Sequence, residues 1–143
     1  MNKDMDILLK QAAQKALDAI DLLEASLNSI SNFDPFRDYS PREREPFDAM
    51  SDRFIRAVEI SIKYFRTYEL AQYAENSDTL RDLLNRMEKA GLISTTQRWM
   101  EMRDIRNRIV HDYLPGELKE FYNLICGEYG QELLQLKKKI LEN

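Results

Sequence analysis

Trp99-Met100-Glu101-Met102-Arg103-Asp104-Ile105-Arg106-Asn107-Arg108-Ile109-Val110-His111-Asp112-Tyr113 is the stretch on which the reading of this chain turns. Its apolar residues, Trp99, Met102, Ile105, Ile109, Val110 and Tyr113, recur at threes and fours, the period of a helix with one face on a core. With Trp99 set at zero and roughly 100° per residue, Met102 falls near 300°, Ile105 near 240°, Ile109 near 280° and Val110 near 20°. Arg106 falls near 340°, inside that stripe, and Arg103, Asn107 and His111 continue one flank at about 40°, 80° and 120°. The expectation is a helix whose buried edge carries two arginines, an asparagine and the only histidine of the chain. A guanidinium in a dry core is costly unless paired, so Arg106 is expected to face something other than its own core. Leu114-Pro115-Gly116 then reads as a helix stop.

Outward from this helix the same period recurs. Residues 5 to 30 read as a first long helix, with Leu9, Ala13, Ala16, Leu17, Ile20, Leu23, Leu27 and Ile30 on its core side. Residues 31 to 46 break the pattern with Pro35, Pro41 and Pro46 among Asn32, Asp34, Asp38 and Ser40. This is a long connection that Phe33, Phe36 and Tyr39 are expected to pin to the bundle, and Arg42-Glu43-Arg44-Glu45 reads as a solvated helix start. Phe47 to Glu75 reads as a second long helix, apolar around much of its girth and therefore central. Arg53, Arg56 and Arg66 read as its surface charges, with phosphate binding left open for Arg53 and Arg56. Ser77-Asp78 is expected to cap a short third helix that ends at Gly91, with Leu80, Leu83, Leu84 and Met87 inward. Ser94-Thr95-Thr96-Gln97 has the form of a capping box and starts the helix quoted above. Residues 117 to 141 read as the last helix, with Leu118, Phe121, Tyr122, Ile125, Tyr129, Leu133, Leu136 and Ile140 on one side. Gly127 and Gly130 weaken it locally, and Cys126 reads as a small packing residue. Lys137-Lys138-Lys139 suits a helix C-terminus.

The fold expected is all-α, a four-helix up-and-down bundle with an additional short helix, in a single domain over residues 1–143. No apolar run approaches the roughly 18 residues a membrane span needs, and the N-terminus lacks the pattern of a signal peptide, so a cytoplasmic chain is expected. One cysteine excludes an intramolecular disulfide and a cysteine-based metal site. The net charge of −4 argues against a broad nucleic-acid coat, so any contact with RNA must rest on a local cluster of positive charge. No metal or other cofactor is expected, and neither DNA nor a membrane is an expected partner.

An imidazole and a guanidinium near one helix end suit a phosphodiester. Arginine binds phosphate oxygens and offsets charge that develops in the transition state, while histidine moves protons. RNA supplies its own nucleophile in the 2′-hydroxyl, so no metal is required. One chain carries one histidine, whereas both a base and an acid are useful. A two-fold homodimer joining the two motif helices would supply two of each and would give Arg106 a partner-facing position.

At these residues the chain resembles the HEPN superfamily, all-α proteins marked by Arg, four to six residues, then His. Arg106, the polar Asn107 and His111 match the form with four intervening residues. Tyr113 extends it to the Arg-four-His-one-Tyr form of the HepT-like toxins encoded beside a minimal nucleotidyltransferase. The lead-in from Leu80 through Lys89-Ala90-Gly91-Leu92-Ile93 to Trp99 and Arg106-Asn107 is also similar to the nucleotidyltransferase substrate-binding branch. The resemblance implies a metal-independent ribonuclease toxin acting as a homodimer on RNA, tRNA or mRNA. Arg106 and His111 would be catalytic, and Asn107, Arg103 and Arg108 supporting or RNA-binding. It implies neutralisation by a cognate nucleotidyltransferase antitoxin through AMP transfer to Tyr113. A non-catalytic module presenting a nucleotide or other substrate to that partner stays open beside it, as does a helical scaffold without a site.

Overall fold

The computed structural model describes residues 2–30, 33–111 and 115–143; the side chains of residues 110, 111 and 115–117 lie outside the description. The described residues form helices and no strand: α1 (Lys3–Ser29), α2 (Pro41–Tyr73), α3 (Leu80–Lys89), α4 (Thr96–His111), α5 (Pro115–Leu124) and α6 (Gly130–Glu142), with a π-helical turn over Ile125–Tyr129 joining the last two. The expected all-α bundle is the observed one. No helix among the described residues is long and apolar enough to cross a membrane.

The long central helix is α2, which packs against α1, α3, α4 and α6. It starts earlier than its apolar period does. The Ser40 side chain accepts from the Glu43 N–H while the Glu43 carboxylate accepts from the Ser40 N–H, a reciprocal cap with Pro41 just inside it. Those bonds, with Arg37 nearby, hold the Glu43 carboxyl below its ordinary range. The connection before α2 is pinned by Phe33, which stacks on Tyr39 at 5.2 Å and meets Phe47 and Tyr122 edge-on at 5.0 and 5.4 Å. Phe36, expected to help, is 94% exposed instead, because the Asp34 carboxylate accepts the Phe36 N–H in a turn that swings its ring outward.

Two caps differ from expectation for one reason. Ser77 and Ser94 are not helix caps; each is bonded to a buried carboxylate. Glu69 of α2 accepts from both the N–H and hydroxyl of Ser77, and Glu132 of α6 accepts from both groups of Ser94. The caps move to the next threonines. Thr79 accepts from the Asp82 N–H at 3.1 Å and Thr95 from the Arg98 N–H at 3.1 Å, while the Gln97 amide turns forward to Glu101. Gly91, at φ +80°, takes the left-handed position that closes α3.

α1 runs antiparallel to α2, with Arg53 donating to the Leu22 carbonyl near one end and Leu8 sharing a cleft with Leu70 near the other. α6 returns alongside α1, where Lys137 lies between Asp21 at 2.7 Å and Glu24 at 2.9 Å. α4 also opposes α2: Trp99 meets Phe65 edge-on at 5.0 Å, and Arg106 reaches Glu59. The last helix, read as continuous over 117 to 141, is interrupted by the π turn, where Gly127 has the non-helical angles φ −105° and ψ −116°.

Candidate functional site: the groove between α2 and α4

α4 is anchored through its first half. Trp99, Met102 and Ile105 are buried, and the Trp99 indole N–H donates to Glu132 at 3.0 Å. That anchorage fixes the rotation of the helix and hence the direction of its other residues. Arg103, Arg106 and Asn107 all point outward into a groove of about 270 Å³, whose opposite wall is Glu59, Ile62 and Lys63 of α2.

Arg106 lies outside the core, as a guanidinium placed inside the apolar stripe was expected to. Its side chain is 61% exposed, and its Nη1 donates to Glu59 Oε1 at 2.5 Å. Ile109, one turn from Ile105, still packs against the core, so the apolar side of α4 continues past Arg106 while the arginine itself lies clear of it. Level with Trp99, α2 offers the Phe65 ring, but level with Arg106 it offers a carboxylate and solvent. The arginine therefore needs no partner subunit to escape a dry core. An exposed ion pair of this kind is weakly stabilising and readily exchanged, which leaves the guanidinium open to a competing anion.

The groove gathers three cations, Lys63, Arg103 and Arg106, around the Asn107 amide and the single carboxylate of Glu59. Such a set can hold a phosphodiester: the guanidiniums bind its oxygens in forked pairs and the lysine acts as a point charge. α4 remains helical through His111. Residues 103, 107 and 111 lie four apart and form one line along the helix, so the His111 backbone continues the flank that starts in the groove. Arg106 and His111 are five apart, about 7.5 Å along the axis and about 140° around it. The His111 side chain and all of Tyr113 lie outside the described residues.

Arg108 does not belong to the groove. Its guanidinium lies 5.0 Å from the centre of the Phe121 ring, on the far side of α4. Arg53 and Arg56, open as phosphate contacts in the sequence, face α1 or lie along α2. Arg53 donates to the Leu22 carbonyl at 2.9 Å and the Ser26 hydroxyl at 3.0 Å, and Arg56 pairs with Asp52 at 2.7 Å. Cys126 packs as expected, with its sulfur 3.5 Å from that of Met50, and burial pushes its thiol above the ordinary pKa. The α2 wall was missed in the sequence. Glu59 and Lys63 are an acid–base pair four apart, which reads as an ordinary solvated face; only the approach of α4 makes them the wall of a groove.

A family model described as nucleotidyltransferase substrate binding protein-like matches residues 11–142. No curated protein matches the chain.

Proposed function

We propose, for a chain that belongs to the nucleotidyltransferase substrate binding protein-like family, that it is a metal-independent endoribonuclease: the toxin of a toxin–antitoxin pair whose antitoxin is a minimal nucleotidyltransferase. What carries this reading is the exposed Arg106, tethered only by Glu59, in a groove with Arg103, Lys63 and Asn107 on the helix that ends at His111.

In this reading two copies pair through the ends of α4. One His111 imidazole takes the proton of the RNA 2′-hydroxyl as its oxygen bonds to phosphorus. The bond from phosphorus to the 5′-oxygen breaks, and that oxygen leaves with a proton from the His111 of the second copy. A 2′,3′-cyclic phosphate and a 5′-hydroxyl result. Arg106 offsets the charge that builds on the non-bridging oxygens, while Asn107 and Arg103 position the strand. Arg108 is left as a contact outside the groove. Transfer of AMP from ATP to the Tyr113 hydroxyl, with release of pyrophosphate, would add negative charge beside the helix end and repel the substrate.

Expression of the wild-type chain alone should arrest bacterial growth, whereas His111→Ala and Arg106→Ala should each relieve the arrest and lower cleavage by at least about 100-fold. Harmless wild-type protein that cleaves no RNA would refute the toxin. Co-expression with the neighbouring nucleotidyltransferase should add the mass of AMP to the Tyr113 peptide, and an unchanged mass would remove the regulatory step.

The family match favours a second reading, a non-catalytic module that presents a nucleotide or other substrate to a nucleotidyltransferase. Under it, the Arg106–Glu59 pair is simply a strut between α2 and α4, and Glu59→Gln would leave RNA affinity unchanged. Under the ribonuclease reading the same substitution frees the guanidinium and tightens RNA binding.

A further inference from the structure

Lys63 lines two openings. On one side it borders the α2–α4 groove; on the other it borders a cleft of about 610 Å³ between α1 and α2. The chemistry of this second opening is unlike that of the chain as a whole. Carboxylates outnumber Lys and Arg by 25 to 21 in the sequence, yet none lines the cleft among the described residues. Its charged groups are Lys15 from α1 and Lys63 and Arg66 from α2, all exposed. Neither lysine ammonium has a carboxylate partner among the described residues, and Arg66 only steadies one end of its fork on the Ser77 carbonyl at 3.4 Å. The Gln11 and Thr67 side chains add neutral hydrogen-bonding groups to the same wall. The floor is apolar, with Leu8 half exposed and Leu70 partly so beside Ile60. Positive rims around an apolar floor suit a chain of phosphates carrying flat bases.

We propose that a single-stranded RNA held in the α2–α4 groove runs over Lys63 into the α1–α2 cleft. Lys15 and Arg66 bind its phosphates there, and the Leu8–Ile60–Leu70 floor takes the face of a base. This path rests on the RNA reading given above and extends its footprint to a surface outside the motif helix. Two observations point to the strand: complementary charge, and continuity with the motif groove through a shared lysine.

The test is calorimetric titration of the full chain with 2′-O-methyl RNA, which binds without supplying the nucleophile for cleavage. A three-nucleotide and a ten-nucleotide strand are compared across a range of salt concentrations. The double variant Lys15→Glu/Arg66→Glu should weaken the longer strand by at least about ten-fold and leave the shorter one unchanged. The slope of log affinity against log salt should become shallower by about 1.4, or 0.7 for each lost phosphate contact on a single strand. Lys138→Glu/Lys139→Glu, an equal charge change on α6, should do neither. Equal losses in the two double variants would assign the effect to net charge and overturn the path. So would a wild-type affinity for the longer strand that survives in Lys15→Glu/Arg66→Glu, while leaving the motif groove in place. If the wild type binds neither strand, the RNA reading fails first and the path falls with it.

Discussion

Glu132 is 6% exposed and accepts three hydrogen bonds from groups more than thirty residues away in sequence: the Ser94 N–H at 3.1 Å, the Ser94 hydroxyl and the Trp99 indole N–H. Arg98 stands 3.8 Å from the same carboxylate. A buried carboxylate is tolerated only when satisfied in this way, and removing it strands the donors it served. Glu132→Ala should therefore cost about 3 kcal/mol, read as a lower urea midpoint, while Glu132→Gln, which keeps the shape and one acceptor, should cost less. The effect reaches the α2–α4 groove because Trp99 sets the rotation of α4. None of this was visible in the sequence. Ser94 followed by Gln97 satisfies a local capping pattern, and nothing local to Glu132 sets it apart from any other helical glutamate. The same holds for Ser77 and Glu69. Local rules named a cap; a distant carboxylate took the serine, and the next threonine did the capping.

Helix positions with strong apolar period were legible because burial itself creates that period. Trp99, Met102 and Ile105 are buried as the wheel requires, and so are Leu83, Leu84 and Met87 on α3. The wheel could place Arg106 in the apolar stripe but not name what it meets, because a wheel treats a helix as equally covered along its whole length. Cover changes with level, and beside Arg106 it is Glu59 rather than a ring. The interruption in the last helix was also hidden, since two glycines signal weakness but not the form it takes. Gly130 is where that form becomes obligatory: a Cβ there would lie 2.4 Å from the Ile125 carbonyl oxygen and 3.1 Å from Leu27 Cδ1. Gly130→Ala should destabilise the fold by about 1–3 kcal/mol in chemical denaturation, despite the better helix propensity of alanine. A stabilised variant would show that the π turn relaxes freely to α.

Across the molecule, two tyrosines tie the bundle to pH. Burial, with Tyr68 beside it, pushes the Tyr64 phenol up to about 12. Burial and the hydrogen bond that Tyr122 donates to Asp48 push Tyr122 up to about 12. Both phenols are neutral in either state below about pH 10, so stability there is complete. Between pH 10 and 12 the unfolded chain loses these protons first, and stability falls as pH rises, by on the order of 2 kcal/mol for each group. Urea midpoints at pH 8 and pH 11 should show the drop, and Tyr64→Phe and Tyr122→Phe should each flatten it. The helix order and the central place of α2 followed from the sequence, because they depend on summed apolar patterns. The groove did not, because Glu59 and Arg106 on its two walls stand 47 residues apart in the chain and their charges look ordinary until they face each other.

The chain carries one tryptophan, fully buried, with its ring on Phe65 and its indole on Glu132. It thus holds a built-in optical gauge of its own interior. Emission should be blue-shifted in the folded protein and move to the red on unfolding, with no label attached. Two helical turns separate this ring from Arg106, and it looks inward, so a strand entering the groove should leave the signal nearly constant. A red shift on adding RNA would instead report that the bundle opens around its ligand.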